Sequence, residues 1–456
     1  MSMTLEEAIF EKYIRPTQRP AGDVVGVELE FPLLNLARAP VDIPLVQTAV
    51  RGFASHFGFT QQTADDNGDL YSLTDPVTGD NLSFDCSYNT LELSFGKEAD
   101  INVLDGRFRT YFADLQERLA PIRHTLTGLG VNPYHAYAHY APIANDRYRM
   151  LYHHLCAFDR YPGDYHRLPH FGMMAAASQV QLDVEEGPVL QTIRVFERLE
   201  PYKALLFANS YYDGLPALQI SRDYFWEKST QGYNPRNLGM FGHVPETLDA
   251  YISYVKQQSI YAVGKDGKYL HFEPVVLEDY VQRDSVTGEY YADGAWHSYT
   301  FCPAPEDIAD HRTFKFEDLT YRGTIEFRSA CEQPVRDAFC HAAFHAGLSR
   351  RVNELEALLD ADTVLYHKGL DAPALRALLT RRAFPDIAEK QAVSAQFLRI
   401  LDLAREGLGE RGFGEEQYLD ALYERAGRLT NPAQRFLAGL AAGDTAEEWI
   451  RQYGTL

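Results

Sequence analysis

Four short segments of this chain carry acidic or amide side chains at alternate positions, a spacing that can gather hard oxygen ligands on one surface. In ValValGlyValGluLeuGluPhe (24–31) the apolar residues are Val25, Val27, Leu29 and Phe31, so Glu28 and Glu30 project together from the opposite face of a strand. ThrLeuGluLeuSerPhe (90–95) repeats the arrangement with Glu92, set against Leu91, Leu93 and Phe95. SerGlnValGlnLeuAspVal (178–184) places Gln179, Gln181 and Asp183 opposite Val180, Leu182 and Val184, and ThrIleGluPheArg (324–328) places Glu326 and Arg328 opposite Ile325 and Phe327.

Such faces can be the wet side of an antiparallel sheet. Glutamate is a poor strand former, however, and these faces hold carboxylates and amides and no lysine. Converging carboxylates repel unless cations lie between them. Oxygen donors with no thiolate or three-histidine set select Mg²⁺ or Mn²⁺ over zinc. Magnesium in turn points to phosphate, and an arginine two residues beyond a metal-binding glutamate can reach a phosphoryl oxygen.

The elements that must position these residues follow from the rest of the pattern. An amphipathic start (Leu5 to Ile14) leads into strands and Asp/Asn/Gly turns from Val24 to Phe95. A helix follows in which Val103, Phe108, Tyr111, Phe112, Leu115 and Leu119 recur at helix-face spacing, and a second helix is expected at about 189–207. GlyLysAspGlyLys (264–268) lacks P-loop spacing and reads as a hairpin turn. From about Val335 the pattern is helical, broken at Pro373, Pro385, Gly414, Pro432 and Gly443. The expected class is α+β, a mostly antiparallel sheet packed with helices plus a helical C-terminal lobe, with a catalytic domain over 1–345 and a helical extension over 346–456.

Composition narrows the function classes. A formal net charge of −21 and the lack of a Lys/Arg run argue against nucleic acid and anionic lipid as partners. No window approaches the roughly 20 apolar residues that span a bilayer, and the first residues lack a signal-peptide layout, so a cytosolic location is expected. Five scattered cysteines without C-x-x-C spacing are expected to be free thiols. The histidine pairs His153/His154 and His166/His170 lack H-E-x-x-H spacing and are expected to be ordinary surface or core residues. Cys331 is expected to be a buried, inert thiol.

The order of these segments resembles the glutamate–cysteine ligase family, specifically its plant-like branch. GlyValGluLeuGlu (26–30) resembles a G-x-E-x-E strand, AsnThrLeuGluLeuSer (89–94) an F/V-E-L-S strand, ArgTyrArgMet (147–150) an R-Y-K segment and GlnValGlnLeuAsp (179–183) a Q-V-N-L-D strand. AlaAsnSerTyrTyrAspGlyLeuPro (208–216), SerArgAspTyrPheTrp (221–226) and AsnProArgAsnLeuGly (234–239) are similar to successive family blocks, although Arg222 falls one position early. His311 and GlyThrIleGluPheArg (323–328) match later blocks, and the resemblance covers most of 24–345. It implies a glutamine synthetase/guanidino kinase type of sheet and an ATP-dependent ligase. Glu28, Glu30, Glu92 and Glu326, with Gln179, are then the Mg²⁺ (or Mn²⁺) ligands, and Arg328 contacts the transferred phosphate. Arg222, Trp226 and Arg236 would shape the nucleotide and substrate pocket, and His311 is a further candidate.

The implied reaction activates the side-chain carboxylate of glutamate as an acyl phosphate and joins it to cysteine, a route that needs no nucleophilic side chain. Two departures bear on the substrates. MetAlaAlaAla (174–177) replaces a family Arg-Thr-Cys-Thr run, which removes a cation suited to a substrate carboxylate, and AlaCysGluGlnPro (330–334) replaces an Ala-Asp type sequence. A related ligase using another amine or acid, a metal-dependent hydrolase and a catalytically silent binding protein remain as alternatives.

Overall fold

The alternating segments pair into one sheet, as their two-sided pattern requires. The computed structural model describes residues 3–456. In chain order the strands are β1 (Val25–Asn35), β2 (Gln61–Ala64), β3 (Leu70–Thr74), β4 (Asn81–Phe84), β5 (Thr90–Glu98), β6 (His124–Leu126), β7 (Ser178–Asp183) and β8 (Leu238–Gly239). They continue with β9 (Ser259–Lys265), β10 (Lys268–Val276), β11 (Val286–Ala292), β12 (Ala295–Phe301), β13 (Phe314–Lys315), β14 (Glu317–Leu319) and β15 (Thr324–Phe327).

Nine of them form the main sheet in the order β14-β15-β7-β1-β5-β4-β3-β2, with β6 added to the far end of β1. Its pairings are antiparallel. The long strand β1 lies at the centre, and all four segments of the expected site are neighbours: β15, β7, β1 and β5.

The apolar face of this sheet is closed by helices. Phe31 lies 5.8 Å from Phe108 and 5.0 Å from Phe112 on the helix Ile101–Leu119. That helix buries Leu104, Phe108, Tyr111, Phe112, Leu115 and Leu119, whereas Val103, expected on the same face, is exposed. Leu104 sits one helical step closer to the 108/111/115 stripe and takes the inward place. On the other half of the sheet Phe327 meets Phe196 of the helix Val189–Leu206 at 4.7 Å and His345 of the helix Cys340–Ser349 at 4.4 Å.

From Val335 onward every described element is helical. The expected division at 345/346 falls inside the helix Cys340–Ser349, and one hydrophobic core runs from Leu29 and Phe31 through Phe327 to Phe344, Phe397 and Leu408. The helix Lys390–Arg411 crosses Cys340–Ser349 where both carry glycine. A Cβ on Gly407 would overlap the Gly347 carbonyl oxygen, and one on Gly347 would overlap that of Ala404. Only glycine permits that approach.

A second sheet of β12-β11-β10-β9 packs on the helix Asp146–Leu155. Its β9–β10 hairpin turns at Asp266 and Gly267, both at positive φ, as the sequence spacing predicts. The β11–β12 hairpin escapes sequence reading because β12 is largely exposed on both faces and shows no apolar alternation.

Buried cations tie the helical C-terminal part to the rest of the chain, Arg376 among them. Arg376, on the helix Ala372–Leu379, donates from Nε to Asp223 Oδ2 at 2.8 Å and is also paired with Glu200. Lys203 links Glu200 to Glu317 on β14, which it meets at 3.1 Å. Removing one partner strands buried charge on the others. We expect Arg376→Gln to lower unfolding stability by about 3–5 kcal/mol in denaturant titrations. A loss no larger than that of an exposed substitution such as Arg428→Gln would show that the pair does not hold these elements together.

Candidate functional site

The registers of the main sheet place its polar side chains in rows. Glu326, Gln181 and Gly26 oppose one another across β15, β7 and β1. Glu28 faces Gln179 on one side and Ser94 on the other, and Glu30 faces Glu92, which in turn faces Ser83. Directly opposed residues share a sheet face, so Glu28, Glu30, Glu92, Gln179, Gln181 and Glu326 form one continuous floor. This floor is not the wet side of the sheet. Glu30 is only 8 % exposed, while Glu28 and Glu92 keep a partial opening.

Amides separate the carboxylates. The Gln181 side-chain N–H₂ donates to both Glu28 Oε1 and Glu326 Oε1 at 3.0 Å. Gln179 Nε2 donates to Glu30 Oε1 at 2.8 Å, the Ala177 N–H donates to Glu30 Oε2 at 2.7 Å, and Ser94 donates to Glu92. These bonds do not balance the desolvation and repulsion. Burial and the charges of Glu92 and Glu326 push Glu28 from the ordinary 4.5 to about 8. Burial and Asp85 push Glu30 up to about 8, and burial with Asp85 and Glu30 does the same to Glu92.

Asp85, in the β4–β5 turn, is a member of the cluster that sequence pattern did not reveal. One oxygen from each of Glu30, Asp85 and Glu92 lies within 4.8 Å of the others. Asp85 sits in a turn and not on the alternating part of a strand, so periodicity carries no signal for it. The neighbouring Cys86 has φ 57°, a backbone state uncommon outside glycine, which marks the turn as constrained. Tyr148 of the helix Asp146–Leu155 donates to Asp85 at 3.1 Å, and the Arg147 charge acts on Glu92.

Arg328 stands where the alternation places it, donating from Nη1 to Glu326 Oε2 at 2.7 Å. Its guanidinium lies 5.6 Å from the Phe314 ring, and Trp226 stacks on Phe314 at 4.7 Å, so the three form a wall beside β15. Arg222 is buried, donates to the Ala330 carbonyl at 3.0 Å and acts electrostatically on Glu30, while its Nε has no partner.

Two further candidates, Arg236 of the expected pocket region and His311, contact aromatic side chains. Arg236 is exposed and lies over the Tyr254 ring, and His311 is buried against Tyr13, whose hydroxyl is 3.0 Å from its Nδ1. The segment Met174–Ala177 is buried and apolar and runs beside Glu30. In the other departing segment Cys331 is buried and donates to Ser210. Glu332 is buried beneath β1, and its Oε2 accepts from the Glu30 N–H at 3.2 Å and from Ser178 at 3.1 Å. Burial raises the Glu332 carboxyl well above the ordinary range.

The donor set fits a hard divalent cation. Carboxylates whose proton affinity is raised by one another are relieved by a cation, and the Gln179 side-chain oxygen is buried with no hydrogen-bond partner beside Glu30. A buried acidic floor with an arginine at its edge is suited to cations and, through them, to anionic ligands.

No family model matches the chain. Among individual proteins it is 25% identical over 269 residues to a chloroplastic glutamate–cysteine ligase of Medicago truncatula, covering 57% of this chain and 49% of that one. It is 26% identical over 274 residues to the chloroplastic glutamate–cysteine ligase of Arabidopsis thaliana, covering 57% and 48%. The chain therefore spans about half the length of the curated relatives it matches. Among solved structures, a Francisella tularensis glutamate–cysteine ligase in complex with AMP aligns over 96% of this chain and 88% of that one, at 11% identity and a TM-score of 0.47. A bifunctional glutathione synthetase from Pasteurella multocida aligns over 98% and 52%, at 12% identity and a TM-score of 0.45. The resemblance carried by the strand motifs stands: over 57% of its length the chain is similar to plant glutamate–cysteine ligases.

The raised carboxyls have a consequence for stability. Between pH 4.5 and about 8 they are protonated in the native state and ionised in the unfolded chain. The native state then binds more protons, so their contribution is full below 4.5 and is lost as pH rises through about 8. With chelator present, the melting temperature should fall as pH rises from about 5 to about 8, less steeply in Glu92→Gln, and excess Mg²⁺ should flatten the fall. Identical slopes in wild type and Glu92→Gln would exclude the buried-carboxylate cause.

Proposed function

We propose that this chain is an ATP- and Mg²⁺-dependent carboxylate–amine ligase that joins the side-chain carboxylate of glutamate to the amine of cysteine. The observation that carries the reading is the floor of Glu28, Glu30, Glu92 and Glu326, with Asp85 and Gln179, set beside Arg328 in a relative of the glutamate–cysteine ligases. These oxygens are suited to hold Mg²⁺, which when bound neutralises phosphoryl oxygens.

The chain's own residues then have distinct tasks. Glu326 fixes the Arg328 guanidinium, whose charge offsets that developing on the transferred phosphoryl group. Gln181 and Gln179 orient the glutamates, and the Trp226–Phe314–Arg328 wall offers a flat surface at the nucleotide side. Arg222, buried with an unpartnered Nε and acting on Glu30, is the cation this reading assigns to a substrate carboxylate. The glutamate carboxylate attacks the γ-phosphorus of ATP and ADP leaves. The amine then attacks the acyl phosphate, phosphate departs and the nitrogen gives up a proton. All these reactants are small and water-soluble, which fits the expected cytosolic setting. Among the described residues no helix is long and apolar enough to cross a membrane.

One observation favours a second acceptor. The apolar Met174–Ala177 wall stands where the family has an arginine and a cysteine, which suits an amine without a carboxylate. Phosphate release from ATP with glutamate, alone and with cysteine or a panel of amines, decides between the two. We expect amine-dependent release, cut about 100-fold or more in Glu326→Gln and in Arg328→Ala. Near-normal turnover in Glu326→Gln would sink the metal assignment, and ATP-independent amide cleavage would favour a hydrolase.

A further inference from the structure

A second group of ligating side chains lies between the β9–β12 sheet and the helix Asp146–Leu155. His271 of β10 and Glu289 of β11 are directly opposed across their strand pair and therefore share a face. His153 comes to them from the last turn of the helix. One ring nitrogen from each histidine and one Glu289 oxygen all lie within 4.8 Å of one another, and His153 Nε2 is 2.9 Å from Glu289 Oε2.

The surroundings go beyond what an ion pair needs. His271 is 2 % exposed and its Nδ1 has no hydrogen-bond partner, a costly state for a buried nitrogen unless something binds there. Its Nε2 lies 3.2 Å from His154 Nδ1 and 3.1 Å from the Tyr161 hydroxyl, outer contacts of the kind that orient a ligating imidazole. Burial, reinforced by His154 and His153, lowers the proton affinity of the ring, and a neutral imidazole is the form that coordinates. Trp296 stacks on His153 at 3.9 Å and shields it. Arg160 approaches Glu289 at 3.3 Å and competes with a cation, but its side chain is 56% exposed and free to swing into solvent.

We propose that His153, His271 and Glu289 form a site for one divalent transition ion, best matched by Zn²⁺, with water completing the coordination. Two imidazoles and one carboxylate suit a borderline ion, in contrast to the all-oxygen floor of the main sheet, which suits Mg²⁺. The ion ties three separate elements together. One of them is the helix whose first turn carries Arg147 and Tyr148 to the Asp85 side of the carboxylate cluster. Occupancy thus stiffens the mounting of that cluster.

The test uses the full chain, stripped with chelator and held in excess Mg²⁺, titrated with Co²⁺ as a visible stand-in for Zn²⁺. We expect one equivalent to bind with ligand-field absorbance and a rise in melting temperature. Glu289→Gln and His153→Asn, both at the solvent edge, should each weaken binding about tenfold or more. Arg160→Ala should tighten it by removing the competing cation. His271→Ala opens a buried position and can unfold the region, so the two edge variants are the deciding ones. No cobalt absorbance in the wild type, or the same absorbance and affinity in both edge variants, would overturn the site. Neither outcome depends on ligase activity.

Discussion

The structure is organised around the gathering of like charge in a place that water barely reaches. Glu28, Glu30 and Glu92 lose solvation and are repelled by one another and by Asp85, and nothing in the floor itself compensates fully, as the raised proton affinity of the three glutamates records. A sheet can hold such a floor only if its other face is packed heavily enough to offset the cost. Here Phe31 and Phe327 meet helices from both halves of the chain within one core. A positive charge entering the floor would relieve that repulsion.

The C-terminal helices are part of this arrangement. Arg376 reaches Asp223, next to Arg222, and joins Glu200, Lys203 and Glu317 behind β14 and β15. Glu332, buried beneath β1 with its carboxyl raised by that burial, anchors the Glu30 backbone and Ser178 from the same side. The strand that presents Glu326 and Arg328 is therefore fixed from behind by residues distant in sequence.

The opposite side of the site depends on the helix Asp146–Leu155. Its first turn touches the Asp85 region, and its last turn meets β10 and β11 through His153. Anything that changes the grip of the second sheet on this helix changes the mounting of the carboxylates. The apolar Met174–Ala177 segment runs beside Glu30 and leaves one wall of the cluster without polar side chains.

Alternation alone determined which glutamates share a face, because a strand turns each side chain through half a revolution and the apolar partners Val27, Leu29, Leu91, Leu93, Ile325 and Phe327 can only go inward. The same rule placed Arg328 beside Glu326. The sequence also determined the class of elements, the helical character beyond Val335 and the β9–β10 turn, each of which depends on local periodicity or on positive φ. Tertiary structure decided the rest. Asp85 joins the cluster from a turn, and Gln181 bridges two glutamates only because β7 lies between β1 and β15. Arg236 and His311 belong to matched motifs yet pack against Tyr254 and Tyr13. The pair order of strands, the depth of burial and the meeting of His153 with His271 and Glu289 depend on contacts between residues far apart in the chain, for which local spacing holds no record.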